Sequence, residues 1–421
     1  MKPLSLNASQ KMKKTPIGEI PVEWEVRTLG ALCKALSGGT PSKDVADYWN
    51  GDVPWFSAKD LKSFYLHNSQ DRLTEKGAEH GPGLVPANTI LVLVRGMTLD
   101  KDFPVCITTK QSSFNQDLKA LQIKSDMTTE FLAYALIARK NYILSLVDHA
   151  GHGTGRLETD TLLSVQLPVP PSTEQEKITN VLLTWERRID RTARLLEAKR
   201  RLKAGLMQQL LTGKRRFPRF GKTAGKISNP WTTCHIGDIA CEISTRNSSG
   251  ESLPVLSCTK YNGLVDSAEY FGRRVFSADT SNYRVVRRGQ FAYATNHIEE
   301  GSIGLLEHAD GGLVSPIYTV FETTDAVLPV YLYKLLKTEY YRRRFAAATH
   351  SSVNRRGSLR WSHFAKIRVT LPPLDEQRRL VDFIELCERE IELLEQKLKA
   401  LRKQKKGLMQ KLLTGKVRVR G

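Results

Sequence analysis

The sequence predicts an α+β protein of two globular blocks joined by two long helices, which pair as an intramolecular antiparallel coiled coil with pseudo-twofold symmetry. Three observations predict it. Residues 170–216 recur without a gap at residues 372–418, and 21 of the 47 aligned positions are identical, where unrelated sequence of ordinary composition would share roughly three. Each copy carries a sustained heptad of apolar residues. The sequence before each copy breaks into short β-rich runs separated by Gly, Pro and Asn, the pattern of small curved sheets with a few helices. The boundaries that follow are a tail at 1–19, a first block at 20–171, a first helix at 172–216, a second block at 217–371 and a second helix at 372–421.

The tail, MKPLSLNASQKMKKTPIGE, is basic and has no apolar core of the secretory type, so secretion is not signalled. The first block opens IPVEWEVRTLGAL and the second SNPWTTCHIGDI, which aligns Trp24, Leu29 and Gly30 with Trp231, Ile236 and Gly237. Further on DVPWFS stands where the second block has LPVLSC, and the blocks close with QLPVPP and RVTLPP. Between these landmarks the two do not align. The runs NTILVLV, VCITT, RVVRRGQFAYA and SPIYTVFE read as strands, and residues 130–146 read as a helix.

In the second repeated segment Leu380, Ile384, Cys387, Ile391, Leu394, Leu398, Leu401, Lys405, Leu408 and Leu412 alternate spacings of four and three, the seam of a coiled coil. Ile178, Leu182, Trp185, Ile189, Thr192, Leu196, Lys199, Lys203, Leu206 and Leu210 repeat the register in the first. Each helix begins after Pro-Pro, with Thr173 or Asp375 as the cap, and ends at Gly213 or Gly415. That gives ~40 residues, or ~60 Å. A helix with such a stripe needs a partner to bury it. With a whole block of chain between the copies, antiparallel pairing is the economical solution.

The chain of 421 residues is long enough for two domains. Its longest apolar runs are far shorter than the ~20 residues of a membrane helix, so no span and a cytoplasmic location are expected. Six cysteines include no CxxC pair, which predicts reduced, packed thiols. The net charge of +20 is localised: residues 199–226 hold ten basic residues and no acid, residues 397–420 another ten, and the remainder balances at 44 against 44. A polyanionic partner, nucleic acid before acidic protein, is the reading of that excess.

The order of globular block, PP..EQ helix ending GLMQ.LLTGK, second block and second such helix resembles the specificity subunit of Type I restriction–modification enzymes, over nearly the whole chain. The resemblance implies that the blocks are target recognition domains, each reading one half of an asymmetric, interrupted site in double-stranded DNA. It implies that the helices set the unread spacer and dock partners: methyltransferase (modification) subunits, two in number, and motor-nuclease (restriction) subunits. It also implies a chain that catalyses nothing, with S-adenosylmethionine, ATP and magnesium carried by those partners and no cofactor of its own.

Base edges are read by forked groups and phosphates by cations, so Gly-flanked loops that carry both are the DNA-binding candidates. In the first block these are Lys59, Lys62, Arg95, Lys101, His149, His152 and Arg156; in the second Arg246, Asn247, Lys260, Tyr261, Arg273, Arg274, Asn296, His297, Asn354, Arg355, Arg356 and Arg360. The loops after Ala150 and Thr349 hold equivalent places before the closing strands. Catalytic signatures are missing from the sequence. GKT at 221–223 lacks the upstream glycine of a phosphate loop, SNPW lacks a proline of the amino-methyltransferase tetrapeptide and matches the opening of the first block, and the HxxH of His149 and His152 has no cysteine or carboxylate at ligand spacing. A self-contained DNA enzyme, a stand-alone regulator that dimerises through the helices, and a pure protein scaffold are the rival classes. Steep salt dependence of DNA binding separates the last from the others.

Overall fold

The computed structural model describes residues 11–81, 83–124, 126–150, 154–220, 222–223, 226–227, 230–350 and 358–419. The chain divides into two compact units, one formed by the residues up to Ala193 together with those from Gln396 onward, the other by Arg194–Glu395. Each unit therefore contains one globular block and one half of each long helix.

In the first unit the opening strand Glu25–Thr28 pairs antiparallel with the closing strand Gln166–Val169, so the chain enters and leaves the block side by side. The main sheet has five strands in the order Cys33–Ser37, Leu118–Ile123, Ile90–Leu93, Val105–Thr108 and Tyr65–Leu66. All four residues of Ile90–Leu93 are buried, the signature of a strand covered on both faces. The helix expected at 130–146 is two, Thr129–Ala138 and Lys140–Leu144. They part at Arg139, whose N–H is shared between the carbonyls of Ala135 and Leu136.

The second unit repeats this frame. Thr232–His235 pairs with Arg368–Leu371, and its sheet runs Ala240–Ile243, Tyr318–Thr323, Phe291–Ala294, Ile303–Leu305. That is the order of the first four strands of the other sheet. The blocks that do not align in sequence thus share a topology, because the strand order depends on burial and connection while the loops between are unconstrained by either.

Part of the expected tail is ordered structure. Met12–Thr15 and Gly18–Pro21 form a hairpin whose Ile20 is buried in the first core. A shorter hairpin, Lys222–Thr223 with Lys226–Ile227, precedes the second block.

The long helices are Ser172–Leu210 and Leu374–Leu413. Both start one residue before the expected caps: the Pro171 and Pro373 carbonyls already accept from the amides two and three positions beyond Ser172 and Leu374, at Glu174, Gln175, Glu376 and Gln377. Thr173 and Asp375 lie inside the first turn. Both ends close with a glycine at positive φ, +70° at Gly213 and +68° at Gly415, and with the six-to-one bonds Arg215 N to Gln209 O and Val417 N to Lys411 O, each 3.1 Å, the Schellman arrangement. Every heptad position of both copies is buried or half-buried. In the first unit Ile178 and Leu182 share a core with Met409, Leu412 and Leu413; in the second Leu210 and Leu211 share one with Leu380 and Ile384. Glu174 meets Arg418 while Glu186 meets Lys405, so partner numbers fall as the helix advances and the pairing is antiparallel. No helix among the described residues is long and apolar enough to cross a membrane.

Candidate nucleic-acid interface

Among the identities shared by the two repeats are the groups that fasten each block to its helix pair. In the second unit the buried carboxylate of Glu376 accepts from Arg216 Nε (2.9 Å) and Nη2 (2.5 Å) and from Trp231 Nε1 (3.0 Å). In the first, Glu174 accepts from Arg418 and from Trp24 Nε1 (2.9 Å). Gln175 and Gln377, both buried, each accept a backbone amide of the block, from Thr128 (3.0 Å) and Leu328 (2.9 Å), and donate to Pro170 and Pro372. A third node repeats Lys405 on Glu186 as Lys203 on Glu388.

These contacts correct the reading of the charge runs. Lys199 pairs with Glu390, Arg200 with Glu395 and Glu197, Lys203 with Glu388, Arg216 with Glu376, Lys405 with Glu186 and Arg418 with Glu174 and Glu23. Antiparallel pairing sets the basic C-terminal half of the first helix against the acidic N-terminal half of the second, and Lys405 and Arg418 against Glu186 and Glu174 of the first, so part of the excess is matched inside the protein. Lys397, Lys399, Arg402, Lys403, Lys406, Lys411 and Lys416 remain exposed on the first unit, and Arg201, Lys214 and Arg215 on the second.

Glu388 links three elements by accepting from Lys203 and from Lys334, both at 2.7 Å. Burial pushes its carboxyl up, but the hydrogen bonds from the two ammonium groups outweigh that and leave it below the ordinary glutamate range. A carboxyl lowered on folding stabilises above its unfolded value and loses that contribution as pH falls through its folded one. Glu388→Gln should therefore destabilise by about 1 kcal/mol or less at pH 7, since a third of the side chain meets solvent. Melts of the two proteins should converge below pH ~4; a difference that persists there would assign the loss to shape and not to charge.

In the first unit the structure gathers Arg95, Lys101, His149 and Arg156. Arg95 and Arg156 face each other across an antiparallel bridge, Gly96 N donates to Gly155 O at 3.0 Å, and His149 Nε2 lies 3.2 Å from Asp100 Oδ1 on the turn Met97–Asp100. Arg156 Nε is 2.8 Å from Glu158. Met97, 76% exposed, rises among these cations. Lys59 and Lys62 sit on a different loop, where Lys59 Nζ holds Asp71 at 2.7 Å and Lys62 is exposed. His152 lies outside the described residues.

In the second unit the candidates fall into two groups. Arg246 bonds Asn282 Oδ1 (3.3 Å) and Arg274 bonds Ser277 O (3.1 Å), around Tyr283, which accepts from Ser277 N (3.2 Å); Arg273 beside them is exposed. Asn247 in this group is 2% exposed and spends its amide on both backbone groups of Glu251. That corrects its reading as a base-contacting residue: it builds the turn. The other group is Lys260, Tyr261, Asn296 and His297. Tyr261 is 80% exposed, with Lys260 Nζ 5.3 Å from its ring. His297 lies 3.5 Å from Glu300 and, with Glu299, places three ligand-type atoms within 4.8 Å of one another, a grouping not singled out in the sequence, for which no metal site is expected. Arg360 is exposed at the start of the helix Trp361–Phe364. Asn354, Arg355 and Arg356 lie outside the described residues. The flanks of both late loops are anchored alike, Leu157 N on Val94 O (2.9 Å) and Leu359 N on Thr295 O (2.8 Å).

Residues 21–199 match the family model described as Type I restriction modification DNA specificity domain. Over 415 residues, 95% of this chain and 94% of the relative, the sequence is 23% identical to the Type I restriction enzyme MjaVIII specificity subunit of Methanocaldococcus jannaschii. The chain is thus similar to Type I specificity subunits along nearly its whole length. A specificity subunit of an Escherichia coli Type I restriction enzyme is 34% identical over 163 residues, 38% of this chain, and the match spans about 40% of that relative's length. The fold is shared with the crystal structure of a Type-I restriction-modification system S subunit from M. genitalium, at a TM-score of 0.55 and 18% identity over 96% of this chain and 99% of that one.

Sequence reasoning passed over some exposed groups of this specificity-subunit fold. Arg344 lies 5.5 Å from the ring of Tyr340 and donates to its hydroxyl at 2.7 Å, and Arg343, 81% exposed, pairs with Glu339 at 3.3 Å. Their signal was the RRR run at 342–344 beside two tyrosines. Lys337 carried no such signal, because its partners are backbone carbonyls from distant loops.

Proposed function

We propose that this chain is the non-catalytic DNA-specificity subunit of a Type I restriction–modification complex. Each block reads one half of an asymmetric bipartite target, and the helices set the unread spacer and dock two methyltransferase subunits, with motor-nuclease subunits joining for cleavage. S-adenosylmethionine, ATP and magnesium belong to those partners in this reading, and Lys59, Lys62, Arg95, Arg156, Arg246, Lys260, Tyr261, Arg273, Arg274 and Arg360 are its DNA-contact candidates.

One observation carries the proposal: the two units share strand order, helix seam and fastening nodes, yet present different polar side chains on their loops. A single-purpose duplicated enzyme would repeat its working residues; here the frame repeats and the loop chemistry differs, as two readers of different sequences require. Methylome sequencing of a host expressing this chain with its methyltransferase should show modified sites sharing an interrupted, asymmetric motif. Substituting both Arg95 and Arg156 with Gln should relax one half of that motif and leave the other intact. A continuous motif, or a palindromic one, would overturn the proposal.

A further inference from the structure

The second unit joins two of its exposed loops through one cation. The hairpin of Leu256–Thr259 and Gly263–Asp266 carries Lys260 and Tyr261 at its tip, and the turn Ile298–Glu300 is preceded by Asn296 and His297. Lys337, the residue that ends the helix Pro329–Leu336, reaches both. Its Nζ donates to Lys260 O (2.7 Å), Gly301 O (2.8 Å) and Thr259 O (3.5 Å), which engages all three donors of an ammonium group. Beside it the Tyr333 hydroxyl fills the space above Gly263, where an added Cβ would come within 2.7 Å.

The first unit holds its equivalent loop by other means. There Asp60 accepts from Ser57 N (2.9 Å), Ser57 Oγ (3.0 Å) and Gln70 N (2.9 Å), a clamp supplied by the loop itself. The loop at 259–263 has no acid in its sequence. Its internal bonds, Asn262 N to Thr259 Oγ1 and Thr259 Oγ1 to Gly263 O, shape the turn without tying it to a neighbour. Lys337 supplies that tie. Half-buried, it loses part of its hydration, and burial is the main cause that lowers its pKa; the three carbonyls replace the lost water.

We propose that Lys337 is a positioning residue for sequence reading: it holds the Lys260–Tyr261 tip and the Asn296–His297 turn in one fixed spacing, so that the second unit's half-site depends on a side chain that touches no DNA. This rests on the function proposed above. Fixed spacing matters because bidentate readout tolerates little displacement of the reading groups, and loops that move independently would still bind phosphates while discriminating bases poorly.

The test uses the full chain with its methyltransferase partner and a randomised duplex library. Lys337→Met keeps the aliphatic stem and removes the donors. It should lower discrimination at one half-site by roughly tenfold, the scale of one base contact, with the other half-site unchanged, and Lys337→Arg should recover part of the loss. Unchanged discrimination in both halves, or equal loss in both, overturns the proposal. Should Lys337→Met fail to fold, amide hydrogen exchange of the wild-type complex decides: residues 259–263 and 297–301 should become protected together on cognate DNA and stay unprotected when the second unit's half-site is scrambled. Protection of neither segment, or of one alone, overturns it. A wild-type complex without any bipartite preference would instead remove the function reading itself.

Discussion

Arg216→Met should destabilise the second unit by about 3–5 kcal/mol, the cost of leaving a buried carboxylate without its counter-ion. Glu376 is 1% exposed at its side chain and Arg216 12%, so neither charge has water to fall back on. With the guanidinium gone, the carboxylate keeps, among the described residues, the indole N–H of Trp231, one hydrogen bond where it had three. At 2–4 °C per kcal/mol for a unit of this size the calorimetric midpoint should drop by roughly 10 °C. Adding Glu376→Gln should recover much of the loss, because a neutral amide still accepts from Trp231 and costs far less to bury. If the double variant were no more stable than Arg216→Met alone, the charge would not be the cause. The effect is large for a surface-length side chain because one node joins three pieces: the opening of the block at Trp231, the start of one helix at Glu376 and the turn after the other at Arg216.

The heptad seam was legible in the sequence since it rests on spacing alone, and every position of it is buried or half-buried. The strands were legible where apolar runs are continuous: NTILVLV yields Ile90–Leu93 and SPIYTVFE yields Tyr318–Thr323. The nodes were visible only as letters. Glu174, Gln175, Glu186, Lys203 and Arg216 recur in the second copy, but their meaning depends on partners such as Trp24, 150 residues away, and no local pattern predicts such a pair. For the same reason the basic runs read as bait for a polyanion, although Arg216, Arg418 and Lys405 are fasteners. Asn247 was misread because a turn-building Asn and a base-reading Asn look alike until burial separates them. The ordered hairpin of Met12–Pro21 was hidden by its composition: KMKKTPIGE has little apolar content, and it folds because Ile20 finds the core.

Gly415→Ala should cost more than Gly213→Ala, although the two glycines occupy the same place in the repeat. Both hold a left-handed φ, near +70°, which penalises any side chain by ~1–2 kcal/mol. Their neighbours differ. A Cβ at Gly213 would meet the Trp231 ring at 3.3 Å, a contact that a small shift of the indole relieves. A Cβ at Gly415 would come within 2.3 Å of Cγ and Cδ of Pro21 and 3.5 Å of Trp24. Proline's ring is part of the backbone and cannot swing aside, so overpacking adds to the backbone strain and the total reaches about 2–5 kcal/mol. The sequence difference behind this is small: PVEW precedes the tryptophan of the first block, SNPW that of the second, and the proline stands three positions before Trp24 but one before Trp231. Denaturant unfolding of the two variants should show the larger loss for Gly415→Ala, and Pro21→Ala should narrow the gap by removing the ring. Equal losses would mean that the left-handed turn, and not the closure of the last helix over Pro21, sets the cost. Because that closure also carries Arg418 onto Glu174 and Glu23, a chain in which it opens should unfold the first unit before the second.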